Sequence, residues 1–173
     1  QIFCAVLERV AMTEEEFKRR TQQLGLRIMR MVRALPKRDK PAEIIAAQIV
    51  RSGTAIGANY RAACRAKSVA HMISKLKDVE EESDETIYWL ELIIADRMVP
   101  AHRMKDICKE VDEILRMTVA SLNTLEERRA REEREKRKRR LSGKKEEQSP
   151  NGSDVHEAPA KYARLRRKRN LKL

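Results

Sequence analysis

The chain has 173 residues, about one domain by length, and 39 Lys and Arg against 27 Asp and Glu give it a net charge of +12. Charged residues make up 38% of it and aromatics 3%, with 5 Gly and 5 Pro. That is too little aromatic and turn content for a β-sandwich or barrel, and the glycine-turned strands of a doubly wound α/β enzyme are missing. Collagen-like, disulfide-scaffold and membrane-spanning compositions are also excluded, which leaves an all-α, Lys/Glu/Arg-rich protein.

Residues 1–11 (QIFCAVLERVA) are apolar but lack a basic leader and a small-residue cleavage site, so they do not read as a signal peptide. Met12 precedes Thr13-Glu14-Glu15-Glu16, a Thr-x-x-Glu capping box that opens a helix. Residues 1–12 are therefore expected to be an extension outside the fold, with Met12 as the natural start. Phe17, Leu24, Ile28, Met31 and Leu35 recur at helical spacing until the stretch from Pro36 to Pro41 stops the helix. Pro41 opens a second helix whose face runs Ile45, Ile49, Ser52, Ile56, Asn59, Ala63. Ser68 caps a third, with the face Val69, Ile73, Leu76, Ser83, Ile87, Leu90, Ile94 and either Val79 or Glu80 at the missing turn. Pro100 breaks it, and a fourth face runs Met104, Ile107, Val111, Ile114, Thr118, Leu122, Leu125. Four amphipathic segments with short connections predict an up-down-up-down four-helix bundle over 13–125.

After Leu125 the apolar stripe ends. Residues 126–141 are almost all charge, and Glu132 with Lys136, Glu133 with Arg137 and Glu135 with Arg139 predict i,i+4 pairs that continue the helix until Ser142-Gly143. Residues 142–159 read as a disordered linker and 160–173 as a second basic segment. The charge is uneven. Residues 1–125 hold 21 basic and 18 acidic side chains, and residues 126–173 hold 18 and 9, so the tail carries +9 of the +12. Clustered Lys and Arg bind phosphate polymers by releasing counterions, although a basic tail can also be merely solubilising.

Cys4, Cys64 and Cys108 are an odd, widely spaced set without a CxxC, and His71, His102 and His156 are scattered. The pattern predicts no disulfide framework, no metal site and no cofactor, with Cys64 and Cys108 as small core residues in a reducing cytoplasm. Gly53 and Gly57 lie four apart on one helix face and predict close helix packing; no Gly-Lys-Ser/Thr follows them as a phosphate loop requires. Asn59 on an apolar face needs a hydrogen-bond partner. The acidic run from Glu80 to Glu85 must turn part of itself inward, Glu85 first, with Arg51 or Asn59 as partner. A structural polar network of Arg51, Asn59 and Glu85 is favoured over acid–base catalysis. Arg61, Arg65 and Lys67 close the second helix while Lys75 and Lys77 open the third, so a helical hairpin gathers five cations at one end.

The run Arg51-Ser52-Gly53-Thr54-Ala55-Ile56-Gly57-Ala58-Asn59-Tyr60, followed by Ser83, Glu85, Trp89 and Leu90, resembles the bacterial four helix bundle protein family founded on the 23S ribosomal RNA intervening-sequence proteins. The resemblance covers about residues 14–125. It implies a left-handed four-helix bundle, assembly as a homopentamer, and kinship with a retroelement accessory protein that binds a reverse transcriptase and nucleic acid. It supplies no catalytic residues, and the tail from Glu126 onward is outside the family pattern.

The resulting expectation is a non-enzymatic, cytoplasmic, oligomeric bundle that binds structured RNA or DNA without base specificity, serving a reverse transcriptase or ribosomal RNA. Phosphate contacts are assigned to Arg61, Arg65, Lys67, Lys75 and Lys77, to Arg137, Lys138, Arg139 and Arg140, and to Arg164, Arg166, Arg167, Lys168 and Arg169. The alternative is a protein-interaction scaffold whose basic tail docks on an acidic partner or a membrane surface. A nuclease would have to draw its carboxylates from the run at 80–85.

Overall fold

The computed structural model describes residues 12–147, which form four helices: α1 (Glu14–Met31), α2 (Lys40–Cys64), α3 (Val69–Ala95) and α4 (Ala101–Glu147). A 3-10 turn, Val32–Ala34, closes α1, and there is no strand among the described residues. The chain divides between Glu133 and Arg134 into two units, and the four-helix packing belongs to the first.

Local chemistry sets the helix ends. The Glu16 backbone N–H donates to Thr13 Oγ1 at 3.1 Å, and three glutamates fill the first turn of α1, where the helix dipole favours them. Pro41 sits in the first turn of α2, where its missing N–H costs nothing. The His71 N–H donates to Ser68 Oγ at 3.1 Å and caps α3. At the other end of α3 the Met98 N–H reaches the Ile93 carbonyl and the Arg97 N–H reaches that of Ile94, both at 3.1 Å. This pair of bonds is a Schellman motif, which places Arg97 where glycine is usual. Arg97 (φ 58°) and Arg38 (φ 62°) are the described non-glycine residues at positive φ. The left-handed conformation costs an L-residue about 1–2 kcal/mol.

Neighbouring helices run antiparallel. Phe17 stacks on Tyr60 with ring centroids 4.2 Å apart, Thr21 lies against Gly57, and Gly25 against Gly53 and Thr54, so rising numbers on α1 meet falling numbers on α2. Arg51 and Ser52 of α2 meet Glu85 and Thr86 of α3. Lys77 of α3 reaches Glu126 of α4, and Arg20 of α1 reaches Glu110 and Glu113. The core holds Phe17, Leu24, Ile28, Ile49, Ile56, Tyr60, Leu76, Leu90, Ile93, Met104 and Ile114, all nearly inaccessible. Each such side chain contributes about 1.5–3 kcal/mol on burial.

The α4 face is buried residue for residue as the periodicity predicts, from Met104 to Leu125. On α3 Ile73, Leu76, Val79, Ser83 and Leu90 are buried as predicted, but Thr86 and Ile93 take the core positions expected of Ile87 and Ile94, which with Val69 are only partly buried. On α2 the core position is Tyr60, while Asn59 is half-buried. Buried hydroxyls bond to their own helix: Ser83 Oγ donates to the Val79 carbonyl at 2.7 Å and Thr118 Oγ1 to that of Ile114 at 2.8 Å. Thr86 Oγ1 also bonds across to another helix, to the buried Ser52 Oγ at 2.9 Å.

Gly53 and Gly57 face α1. A Cβ on Gly53 overlaps the Ile28 side chain, whereas one on Gly57 meets Thr21 at 3.4–3.5 Å. Every residue from Glu126 to Leu141 is exposed. The helix runs through Ser142 and Gly143 to Glu147, past its predicted end. Adding a residue to an existing helix costs far less than starting one, so a single Ser-Gly pair does not stop it.

Candidate nucleic-acid interface

The polar cluster around the family-like motif lies on the outer seam between α2 and α3 rather than inside the bundle. Arg51 Nη2 donates to both oxygens of Glu85 at 2.5 Å, and the Arg51 side chain is half-exposed. Trp89 Nε1 donates to the same carboxylate at 3.0 Å, with Tyr88 edge-on to the indole. Together the indole N–H and the guanidinium hold the Glu85 carboxyl below the usual glutamate range. Glu82, 3.5 Å from Arg51, is pushed the other way by burial. Asn59 makes no hydrogen bond to Arg51 or Glu85 among the described residues. It lies eight residues from Arg51, about 12 Å along the helix axis. The third member of the network is therefore Trp89. Both oxygens of Glu85 and one of Glu82 face Arg51, and no three His, Cys, Asp or Glu among the described residues gather as metal ligands.

Sequence reasoning missed Arg20. Its Nε donates to Glu110 at 2.8 Å and its Nη2 to Glu113 at 2.7 Å, with the guanidinium largely buried between α1 and α4. An arginine on α1 reads as solvated, because its partners stand 90 and 93 residues away. Gly25, the third small residue on the α1–α2 seam, was missed for the same reason.

The five-cation end expected from the α2–α3 hairpin is offset in part. Arg61, Arg65 and Lys67 are exposed. Lys75 pairs with Asp78 at 2.6 Å and Lys77 with Glu126 at 2.9 Å; Lys18 holds the Glu15 carboxyl below the usual glutamate range, with a smaller contribution from Arg61. The acidic first turn of α1 shares this end, because α1 and α2 run antiparallel. Between the same two helices a groove of about 560 Å³ is lined by Gly25, Thr54, Gly57 and Ala58, with Leu26 and Met29 exposed along it.

Farther along α4, Glu132 and Glu133 pair backward with Arg128 (3.2 Å) and Arg129 (3.0 Å), not forward with Lys136 and Arg137 as predicted. Arg137, Lys138, Arg139 and Arg140 are all exposed. Arg164, Arg166, Arg167, Lys168 and Arg169 lie outside the described residues, as do residues 1–11 with Cys4. Burial pushes the Cys64 thiol up to about 12, helped by Glu14, and also raises that of Cys108. Among the described residues no helix is long and apolar enough to cross a membrane.

A family model described as 23S rRNA-intervening sequence protein matches residues 13–120, from the Thr13 cap to just past Thr118 on the buried face of α4. The chain belongs to this family. Members of the 23S rRNA-intervening sequence protein family are thus the frame for its four helices. A crystal structure of a protein of unknown function from the S23 ribosomal protein family of Bacteroides thetaiotaomicron is similar over 65% of this chain and 99% of that one, with 31% identity and a TM-score of 0.60. No curated protein matches. The charged part of α4 beyond residue 120 is outside the family match.

Proposed function

We propose that this chain is a non-enzymatic RNA-binding protein that grips the sugar-phosphate backbone of a structured RNA. The observation that carries this is the exposed run from Arg134 to Arg140, six cations and one carboxylate on consecutive turns of helix, appended to a fold whose family is described by a ribosomal RNA element. A helix displaying cations without an aromatic platform reads charge and spacing rather than bases. The resemblance adds assembly as a homo-oligomer and service to ribosomal RNA or a reverse transcriptase. The small-residue groove with exposed Leu26 and Met29 supports the first of these.

The test is fluorescence anisotropy of a labelled RNA hairpin with the full chain across a salt series. A full-length variant with Arg137, Lys138, Arg139 and Arg140 all changed to Gln is run beside it. Binding with a log–log salt slope steeper than about −3 that becomes shallower by about 3 in the variant supports the reading, at ~0.7–0.9 per phosphate contact. Absence of binding at low salt overturns it and directs attention to an acidic protein partner.

A further inference from the structure

The two left-handed arginines belong to one end of the bundle. The connection from Val32 to Asp39 joins α1 to α2, and that from Asp96 to Pro100 joins α3 to α4. Neighbouring helices are antiparallel, so these two connections share an end, and residues 65–68 lie at the other. Leu35 and Val99 are buried in the same core and anchor the two connections from beneath.

Charge at this end is one-sided. Residues 27–40 hold six Lys and Arg against one Asp, and residues 96–105 hold three against one Asp. Arg30, Arg33, Lys37, Arg38, Arg97 and Arg103 are all exposed. None of them pairs with a carboxylate among the described residues, whereas Lys40 is taken by Glu43 at 3.3 Å. At the opposite end Lys75 and Lys77 are taken by carboxylates, and the exposed Arg61, Arg65 and Lys67 share that end with the acidic first turn of α1.

Both connections place arginine where glycine or asparagine would relieve the backbone. The arginine side chain makes no hydrogen bond or ion pair in return among the described residues, and the helix dipole at the end of α3 offers Arg97 only a small gain. The Schellman bonds at Arg97 are made by backbone groups and form equally well with glycine. A residue that strains the backbone for so little return within its own fold points to a demand made by something outside it.

We propose that this end of the bundle, with Arg38 and Arg97 at its centre and Arg33, Lys37 and Arg103 around them, is a second phosphate-binding surface that engages the RNA backbone independently of the cationic part of α4. The proposal rests on the RNA-binding reading above. It gives the bundle itself a role in holding RNA. One arginine on each connection spans the end of the bundle, so the two sides grip the backbone at separate phosphates.

The full-length double variant Arg38→Gly/Arg97→Gly tests it, because a structural role and a binding role move two readouts in opposite directions. The expected result is RNA-hairpin affinity lower by about three- to tenfold near 0.1 M salt, with a salt slope shallower by about 1.5, for two phosphate contacts. The thermal midpoint is held or raised by up to about 4 °C as strain is relieved. A second full-length variant, Lys37→Gln/Arg103→Gln, leaves the backbone conformation alone and is expected to shift affinity and slope in the same direction. Unchanged affinity and slope in both variants, while the Arg137–Arg140 substitutions still weaken binding, overturns this surface and leaves the RNA-binding reading standing. No binding by the unmodified chain overturns both.

Discussion

The side chain of Ile28 occupies the space that any side chain on Gly53 would need. Ile28 is fully buried and β-branched, so it has little freedom to yield. Gly57, one turn on, faces Thr21 at ordinary contact distance. Gly53→Ala is therefore expected to destabilise the fold by about 1–3 kcal/mol, overpacking outweighing the ~1 kcal/mol by which alanine favours a helix. Gly57→Ala is expected to be neutral or stabilising by up to ~1 kcal/mol. Urea unfolding of the two variants compares them directly, and equal losses at both sites contradict the packing argument.

Arg20 stands between two carboxylates on α4. Its removal leaves Glu110 and Glu113 side by side in a half-buried seam. Arg20→Ala is expected to cost about 1–2 kcal/mol, above the ~0.2–1 of an exposed pair and below the ~3–5 of a fully buried one. A double-mutant cycle with Glu110→Gln is expected to give a coupling energy of at least ~0.5 kcal/mol. Strict additivity contradicts the bridge.

Glu82 and Glu85, both within reach of Arg51, respond oppositely to pH. Glu85 has a folded-state pKa below that of the unfolded chain, so its stabilisation is complete above about pH 5 and is lost as pH falls through the folded value. Burial raises the Glu82 pKa, so its cost is absent below the unfolded value and grows as pH rises through the folded one. At pH 7, Glu85→Gln is expected to lower stability by about 0.5–1 kcal/mol after solvent screening, and Glu82→Gln to raise the unfolding midpoint. The Glu82 difference is expected to vanish at about pH 3, where that carboxyl is protonated in both states, and the Glu85 difference to shrink as pH falls through its lowered folded value. Unfolding curves at the two pH values check the signs.

Cys64, half-buried and held protonated up to about pH 12, is expected to be inert to alkylation at pH 7.5. Site-resolved mass spectrometry after iodoacetamide treatment, native against urea-unfolded, is expected to show at least about a tenfold slower modification in the native chain. Equal rates contradict the burial.

Much of the fold is legible in the sequence because its signals are local. The Thr13 and Ser68 caps, the Pro41 and Pro100 boundaries and the α4 face all come from spacing within one segment. The α3 face is less legible because apolar residues flank both sides of its stripe, and only the neighbours decide whether Ile93 or Ile94 turns inward. Asn59 misleads in the same way beside Tyr60, whose ring finds Phe17 on another helix. The site divides along this line too. The Glu85 pairing with Arg51 was within reach of motif spacing, and the Trp89 contact follows one turn later. Arg20, the offset of Lys77 by Glu126 and the two positive-φ arginines depend on where distant segments meet, or on backbone angles that the residue names do not disclose.

The α2–α3 hairpin is keyed at a single height. Arg51 meets Glu85 outside while Ser52 meets Thr86 inside, consecutive residues against consecutive residues, 34 positions apart in both cases. Alignment of these helices is thus decided in mid-shaft and owes nothing to the tightness of the bend at residues 65–68. With Ser68 kept as the cap of α3, that bend is free to lengthen. Extra residues inserted between Ala66 and the Ser68 cap lengthen the connection at about 0.6 kcal/mol per doubling and leave the Arg51–Glu85 and Ser52–Thr86 contacts in place. The corner between α2 and α3 is therefore where this architecture can accept new sequence, a tag or a grafted loop, without disturbing either of its cationic surfaces.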